Sequence, residues 1–281
     1  MSQFSIIIPT YNSGIKIQQS IESVLNQGAG DWELIIVNDG STDNTESFIL
    51  PFLKDKRIRY YSQNNFGVGH ARNTGIIEAN AEYLIFLDGD DLLHTNLLEK
   101  IISINFINYD VITWSMKKVV EGKEFIFKPI RQSSLYKHRT SNFLAGSVCY
   151  KKTVLEKVGL YDTKITFGEN YELGLRVCQI TDLKIKLIPE VLSTYLQGTK
   201  ERKSNTIDKQ LKSLIYSYKK HYDLYKDNKS ELSKVYYFFG YLLERSSRYK
   251  LSSKFYFASW KCAPLNIKAL IKLIYLKVFK C

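Results

Sequence analysis

Three short, dense apolar runs constrain this chain more than any other feature: Phe4-Ser5-Ile6-Ile7-Ile8, Leu34-Ile35-Ile36-Val37 and Tyr83-Leu84-Ile85-Phe86-Leu87. A strand with one wet face alternates apolar and polar side chains, whereas a strand buried on both faces does not. These runs therefore predict strands covered above and below by helices. The residues between them supply the helices. Ile17, Ile21, Val24 and Leu25 recur at helical spacing, with Asn12 or Ser13 expected as the cap. A second helix is expected over Thr45–Leu53, shortened or kinked by Pro51, before a short strand at Ile58–Tyr61. Ala71–Ala79 reads as a third helix. This alternation predicts an α/β fold with a doubly wound, mostly parallel sheet and a site at the carboxyl ends of its strands.

Beyond a helix near Asn96–Asn108 the texture changes. Val111–Met116 and Phe125–Ile130 look like strands without crossover helices, so a mixed portion is expected, followed by helices near Lys152–Val158 and Gly168–Ile180. From residue 200 the pattern is helical and rich in Lys and Tyr. The expected organisation is 1–110 and 111–199 as two halves of one domain, with 200–281 as a basic helical segment.

Charge supports that division. The net charge of +12 is not spread along the chain: residues 1–199 hold 21 Lys and Arg against 22 Asp and Glu, and residues 200–281 hold 19 against 6. A nucleic-acid-binding core would carry its basic footprint on the fold itself, so no nucleic-acid partner is expected. Cys149, Cys178, Cys262 and Cys281 are far apart, match no metal spacing and read as buried or idle thiols. His70, His94, His138 and His221 suggest no zinc site, and His94 is expected at the solvated mouth of a helix. The first residues carry no basic region, and no run approaches the roughly 20 apolar residues that span a bilayer. A cytoplasmic location is expected.

Four stretches can carry chemistry. Asp88-Gly89-Asp90-Asp91 follows the Tyr83 strand; Asp88 and Asp90, two apart in extended chain, can face one site, and Gly89 leaves room for a ligand to approach. Carboxylates this close repel unless a cation sits among them, and oxygen ligands suit Mg²⁺ or Mn²⁺ bridging to phosphates. Asn38-Asp39-Gly40-Ser41-Thr42-Asp43 ends the second strand, where Asp39 can accept hydrogen bonds from a base or ribose, or simply form a turn. Pro9-Thr10-Tyr11-Asn12 ends the first strand and offers a hydroxyl and an aromatic face for stacking, or again a turn. Arg72 and Asn73 open the third helix; Arg72 can clamp a diphosphate or lie in solvent.

In this order and spacing, Ser5–Asn12, Asn38–Asp43, Gly69-His70-Ala71-Arg72-Asn73-Thr74-Gly75 and Leu87–Asp91 resemble family-2 glycosyltransferases of the GT-A fold, over residues 4 to about 195. The resemblance implies an inverting enzyme that takes a nucleotide-diphosphate sugar, with UDP as the family-level nucleotide. It implies that 1–110 binds the donor, through Pro9, Thr10, Tyr11, Asp39 and Arg72. Asp88 would contact the ribose or the metal, and Asp90 would be the main metal ligand. It also implies that 111–199 binds the acceptor, a saccharide or lipid-linked hydroxyl, through Val158-Gly159-Leu160-Tyr161-Asp162 and Gly168-Glu169-Asn170-Tyr171-Glu172-Leu173. There the family usually has Glu-Asp, with the Asp as general base. Here Asn170 stands in that place, and an amide cannot take a proton. Glu169 is the expected base and Glu172 the second choice, although Glu172 also suits an i,i+4 pair with Arg176. The His that often follows the block ending at Tyr195 is absent, so that loop is assigned no metal ligand.

Two other readings fit less well. A phosphoryl hydrolase of the haloacid-dehalogenase type places Asp-x-Asp on its first strand, not its fourth, and Leu92 stands where Thr or Val is needed. A dinucleotide fingerprint fails because Arg72 replaces the third glycine after Gly67-Val68-Gly69. A non-catalytic sugar-nucleotide-binding protein is the alternative that Asn170 raises. Finally, Pro264–Lys280 interleaves Ile267, Leu270, Ile271, Leu273, Ile274, Leu276, Val278 and Phe279 with four lysines. Each lysine costs about 2.5–3.5 kcal/mol at a bilayer centre, which argues against a spanning helix. The pattern fits a helix lying in the interface of the inner leaflet, or one packing on the core or on a second subunit.

Overall fold

The computed structural model describes residues 2–197 and 206–280. The chain forms two compact units, Met1–Thr163 with Glu169–Lys200, and Lys164–Gly168 with Glu201–Cys281. The first unit starts with strict alternation: β1 (Phe4–Thr10), α1 (Lys16–Leu25), β2 (Trp32–Asn38), α2 (Thr45–Ile49), β3 (Ile58–Ser62), α3 (Val68–Glu78) and β4 (Tyr83–Phe86). The four strands run parallel in the order β3-β2-β1-β4. The reason for the dense apolar runs is visible in β1. Ile6 and Ile8 pack with Ile17, Ile21 and Val24 of α1 on one face. Ile7, pointing the other way, packs with Ala71 and Ile76 of α3.

The second half of this unit comprises β5 (Leu92–Leu93), α4 (Leu97–Ser103), β6 (Val111–Val120), β7 (Lys123–Phe127), β8 (Ile130–Arg131), β9 (Thr140–Ser141), β10 (Val148–Lys151), α5 (Lys152–Val158), α6 (Glu169–Cys178) and β11 (Ile185–Gln197). The sheet continues from β4 through β10, β6 and β11 to β5. β10 is antiparallel to both β4 and β6, β11 is parallel to β6, and β5 is antiparallel to β11. β7 folds back on the outer half of β6, while β8 and β9 form a separate two-stranded ribbon. The result is an α/β, GT-A-like fold with a mixed sheet and helices on both faces.

Several local expectations are corrected. Neither Asn12 nor Ser13 caps α1: the residue before the helix is Ile15, and no side chain accepts there. Arg72 and Asn73 lie within α3, not at its start, because the helix begins at Val68. The expected helix at Asn96–Asn108 ends at Ser103, and Asn105 takes a left-handed φ of +53° before a 3₁₀ turn. The expected strand at Phe125–Ile130 divides into β7 and the separate β8. Pro51 acts as expected, ending α2 at Ile49 and leading a 3₁₀ turn over Leu50–Lys54.

The second unit is helical: α7 (Ile207–Lys220), α8 (Tyr222–Tyr225), α9 (Lys229–Arg245), α10 (Tyr249–Cys262) and α11 (Ile267–Phe279). Thr206, Asn228 and Asn266 cap α7, α9 and α11 by accepting from the backbone amides of Lys209, Glu231 and Ala269. Leu211, Phe239, Leu242 and Leu243 form one core cluster, and Tyr256, Leu273 and Leu276 another. Among the described residues no helix is long and apolar enough to cross a membrane.

Candidate active site

The carboxyl ends of β1, β2 and β4 bring the sequence motifs together. Asp39 N donates to Thr10 O at 2.8 Å, tying the end of β2 to the end of β1. Asn12, with φ +51°, accepts through Oδ1 from Thr42 N at 2.8 Å and from Asp43 N at 3.3 Å. This is the work that draws Asn12 away from capping. Thr10 is buried and donates from Oγ1 to Ser13 Oγ at 2.8 Å, while Tyr11 is 47% exposed with its ring available for stacking. Pro9 is buried within β1, paired in register with Val37.

Asp39 is buried, and both its oxygens are occupied. Oδ1 accepts from Gln63 Nε2 at 2.7 Å and Phe66 N at 3.0 Å, and Oδ2 accepts from Gly67 N at 2.8 Å. The carboxylate therefore orders the 63–67 loop. Gly40, at φ +72°, is compelled by the same contact, since a Cβ there would lie 2.8 Å from Asn65 N. Gln63 had no signal in the sequence, yet its Nε2 also donates to His70 Nδ1 at 3.1 Å, and its Oε1 accepts from Thr74 Oγ1 at 2.8 Å.

Arg72 is the centre of the arrangement. Its side chain is buried, with Nη2 donating to Asp88 Oδ1 at 2.8 Å and Nη1 to Glu169 Oε1 at 2.9 Å. Burial opposes its charge, but Asp88, Tyr161 and Glu169 outweigh that and push its pKa further up. Nε has no hydrogen-bond partner among the described residues. The guanidinium also lies 5.2 Å from the ring centre of Tyr161. Arg72 is thus not solvated, and both of its terminal nitrogens are engaged by carboxylates. One buried cation holds a carboxylate from the β4 end and a carboxylate from the start of α6.

Tyr161 completes this cluster. Its hydroxyl donates to Asn170 Oδ1 at 3.0 Å, and Asn170 Nδ2 lies 3.4 Å from Glu169 Oε1. Its backbone is fixed by Asn73, whose Oδ1 accepts from Tyr161 N and whose Nδ2 donates to Tyr161 O, both at 2.9 Å. Burial drives the Tyr161 pKa up, so the hydroxyl stays a donor. The tyrosine sits inside the Val158–Asp162 block, but nothing in that block singles it out.

The structure gives two of the candidates other work. Glu172 is buried and paired with Arg176, at 3.0 Å from Nε and 2.8 Å from Nη2, and Arg176 also donates to the carbonyls of Val158 and Leu160. Asp91 is buried and accepts from Leu196 N at 3.0 Å, joining the acidic turn to β11. His94 is half-buried, with Nε2 3.0 Å from Thr194 Oγ1, and burial lowers its pKa. Cys149 and Cys178 are buried free thiols, the latter pushed up to about 12 by burial, and Cys262 is half-buried.

Gly89 touches the first motif. A Cβ there would lie 3.0 Å from both Thr10 Oγ1 and Ser13 Oγ, so the space that glycine leaves is filled by these hydroxyls. Asp88 and Asp90 remain half-buried at the strand end. Among the described residues no three His, Cys, Asp or Glu side chains are grouped to hold an ion. The donor set is all oxygen, as Mg²⁺ or Mn²⁺ requires.

Residues 5–153 match Glycosyl transferase family 2. The chain belongs to this family. It is 30% identical over 205 residues to an uncharacterized glycosyltransferase of Rickettsia bellii, covering 73% of this chain and 30% of that one. It is 36% identical over 168 residues to the poly(ribitol-phosphate) β-N-acetylglucosaminyltransferase TarP of Staphylococcus aureus, covering 56% of this chain and 51% of TarP. The chain thus spans about a third to a half of these relatives' lengths. Its fold matches the crystal structure of S. aureus TarS 1–349 in complex with UDP-GlcNAc at a TM-score of 0.65 and 17% identity, covering 98% of this chain and 90% of that one.

Proposed function

We propose that this chain is an inverting glycosyltransferase that moves a sugar from a nucleotide-diphosphate donor, a UDP-sugar, to a hydroxyl of a saccharide or lipid-linked acceptor in surface polysaccharide synthesis. The observation that carries the proposal is the Asp88–Arg72–Glu169 bridge, which sets a donor-side carboxylate and a candidate base on one guanidinium. Family membership and the UDP-GlcNAc bound by TarS support the donor class, and the poly(ribitol-phosphate) acceptor in TarP's name supports a surface polymer.

In this reading Tyr11 stacks on the base, while Pro9, Thr10 and Asp39 build the wall it rests on, Asp39 acting through the ordered 63–67 loop. Arg72 positions Asp88 and Glu169. Glu169 takes the proton from the acceptor hydroxyl as its oxygen bonds to the anomeric carbon. The bond from that carbon to the diphosphate oxygen breaks on the opposite face, and the nucleoside diphosphate leaves with the electron pair, so the configuration inverts. Mn²⁺ or Mg²⁺ held by Asp88 and Asp90 would neutralise the diphosphate as it leaves. Asn170 holds Glu169's surroundings without exchanging a proton. We place the enzyme in the cytoplasm, on the side of the membrane where a lipid-linked acceptor is presented.

The test is nucleoside-diphosphate release with Mn²⁺ and a panel of nucleotide sugars. UDP release is expected with one or a few donors, and Glu169→Gln should cut transfer to acceptor by about 10²–10⁴-fold with donor affinity nearly unchanged. Tight donor binding with no turnover for any donor and acceptor would favour the non-catalytic binder instead. A fully active Glu169→Gln protein would remove Glu169 from the role of base.

A further inference from the structure

The helical unit carries a surface that the transfer reaction does not use. Helix α11 is apolar on two opposite sides. Ala269, Leu273 and Leu276 are buried against the rest of the unit. On the other side Ile267, Ile271, Ile274 and Val278 are 65%, 60%, 53% and 64% exposed. At about 100° per residue these four fall within about 60° of one another, a single straight stripe. Lys268 and Lys277 then lie about 90° to either side of it. An exposed helix face normally carries charge, with apolar residues scattered singly. Here the polar residues border the face and leave its centre apolar.

Beside the stripe is a recess of about 410 Å³ lined by Tyr241, Tyr249, Tyr275, Arg245, Lys272 and Lys280, with Glu244 in its wall. Glu244 already accepts from Lys272 Nζ at 2.8 Å and from Tyr256 Oη at 2.6 Å. The recess is thus lined by three basic side chains and one carboxylate, and Lys280 Nζ lies 5.6 Å from the ring centre of Tyr249. Tyrosines with a wet hydroxyl and an apolar ring suit the boundary between headgroup and hydrocarbon. Tyr275 borders both features.

We propose that this unit docks on an anionic phospholipid surface, with the stripe of α11 lying at the headgroup–acyl boundary and the adjoining recess taking a phosphate headgroup. Charge decides between this occupant and a second copy of the chain. A two-fold interface pairs the same patch with itself, so the bordering lysines of one copy would meet those of the other. An anionic bilayer instead meets every lysine with opposite charge, and the lysine stems can reach up from an apolar stripe to phosphates. Residues 200–281 together carry 19 Lys and Arg against 6 Asp and Glu, the sign such a surface attracts.

The experiment is co-sedimentation of the full chain with vesicles of phosphatidylcholine, alone or mixed with phosphatidylglycerol. The protein should pellet with the mixed vesicles, release at high salt, and pellet little with phosphatidylcholine alone. Ile271→Asp combined with Ile274→Asp changes only exposed positions, so circular dichroism should stay that of the parent while binding falls at least tenfold. Lys268→Gln, Lys277→Gln and Arg245→Gln should each weaken binding about fivefold, the equivalent of about 1 kcal/mol per charge near the surface. The proposal is overturned by a parent protein that stays in the supernatant, or by a stripe variant that binds as the parent does. It is equally overturned by a parent dimer that the stripe variant converts to monomer without either one binding vesicles. Equal binding to both lipid mixtures would overturn the anionic surface as the occupant. No sugar donor enters the assay, so its outcome is separate from that of the glycosyltransferase reading.

Discussion

Replacing Arg72 by Met tests whether the bridge is what holds the site. Met fills a similar elongated volume without charge, so the loss is chiefly electrostatic. The Arg72 side chain is 2% exposed, and its partners Asp88 and Glu169 are 22% and 14% exposed. Removing one partner of a buried ion pair costs about 3–5 kcal/mol, because the remaining charge is stranded. Here two carboxylates are stranded, but each retains some contact with water, which sets the expected loss near the lower end, about 3 kcal/mol. Against a typical total of roughly 5–15 kcal/mol this is a large fraction. Urea unfolding is the assay, in a Trp260→Phe background so that fluorescence reports the buried Trp32 and Trp114 of the first unit. A second substitution sharpens the result. Adding Glu169→Gln to Arg72→Met removes one stranded charge and should restore about 1 kcal/mol, a coupling of the size neighbours show. A loss below about 1 kcal/mol for Arg72→Met, or a further loss on adding Glu169→Gln, would refute the reasoning.

Two further outcomes follow from single sites. Glu33 is buried, and its pKa is lowered although burial pushes it up, because Ser5, Asn80 and Arg59 all donate to the ionised form. A depressed carboxylate stabilises the fold above its ordinary value of about 4.3 and loses that contribution as pH falls through the folded value. Glu33→Gln should therefore be about 1–2 kcal/mol less stable at pH 7 and nearly equal to the parent once the pH has fallen below the folded value, whereas a constant gap would exclude the charge. Metal dependence is tested by chelation, which should abolish donor turnover, and by Asp90→Ala, which should remove metal-dependent nucleotide binding measured by calorimetry. An Asp90→Ala protein with normal turnover and normal metal response would move the metal elsewhere.

What was legible in the sequence is what depends on near neighbours. The strands at Phe4, Leu34 and Tyr83 announced themselves because burial on both faces removes polar alternation, and the Glu172–Arg176 pair is a one-turn contact on a helix. Long-range partners left no trace. Asn12 looked like a helix cap because its real partners, Thr42 and Asp43, lie some thirty residues on. Asp91 looked like part of an acidic cluster because the Leu196 amide that claims it belongs to the last strand of the sheet. Arg72 was expected to clamp a diphosphate or lie in solvent, and only the fold shows two carboxylates delivered to it. β10 was not expected at all. Its four residues, Val148–Lys151, are too few to show a period, and they are strand-like because β4 and β6 lie on either side.

The substitution at 170 allows the same logic to be pressed on the chemistry. Consecutive residues on a helix point about 100° apart, so an acid moved from 170 to 169 faces a different neighbour. In this chain the 169 carboxylate meets Arg72, while the side chain at 170 is turned onto the hydroxyl of Tyr161, which is itself buried. An acid placed at 170 would accept from that hydroxyl in the amide's place and be held away from an acceptor. Asn170→Asp introduced into Glu169→Gln should therefore fail to rescue transfer, leaving the rate about 10²-fold or more below the parent. The measurement is acceptor-dependent product formation at saturating donor, with donor binding checked by calorimetry so that a folding or donor-site defect is not mistaken for a lost base. Recovery of the parent rate in the double variant would show that position 170 reaches the acceptor hydroxyl. The base would then belong to that position in the family geometry, and Glu169 would be left as Arg72's partner alone.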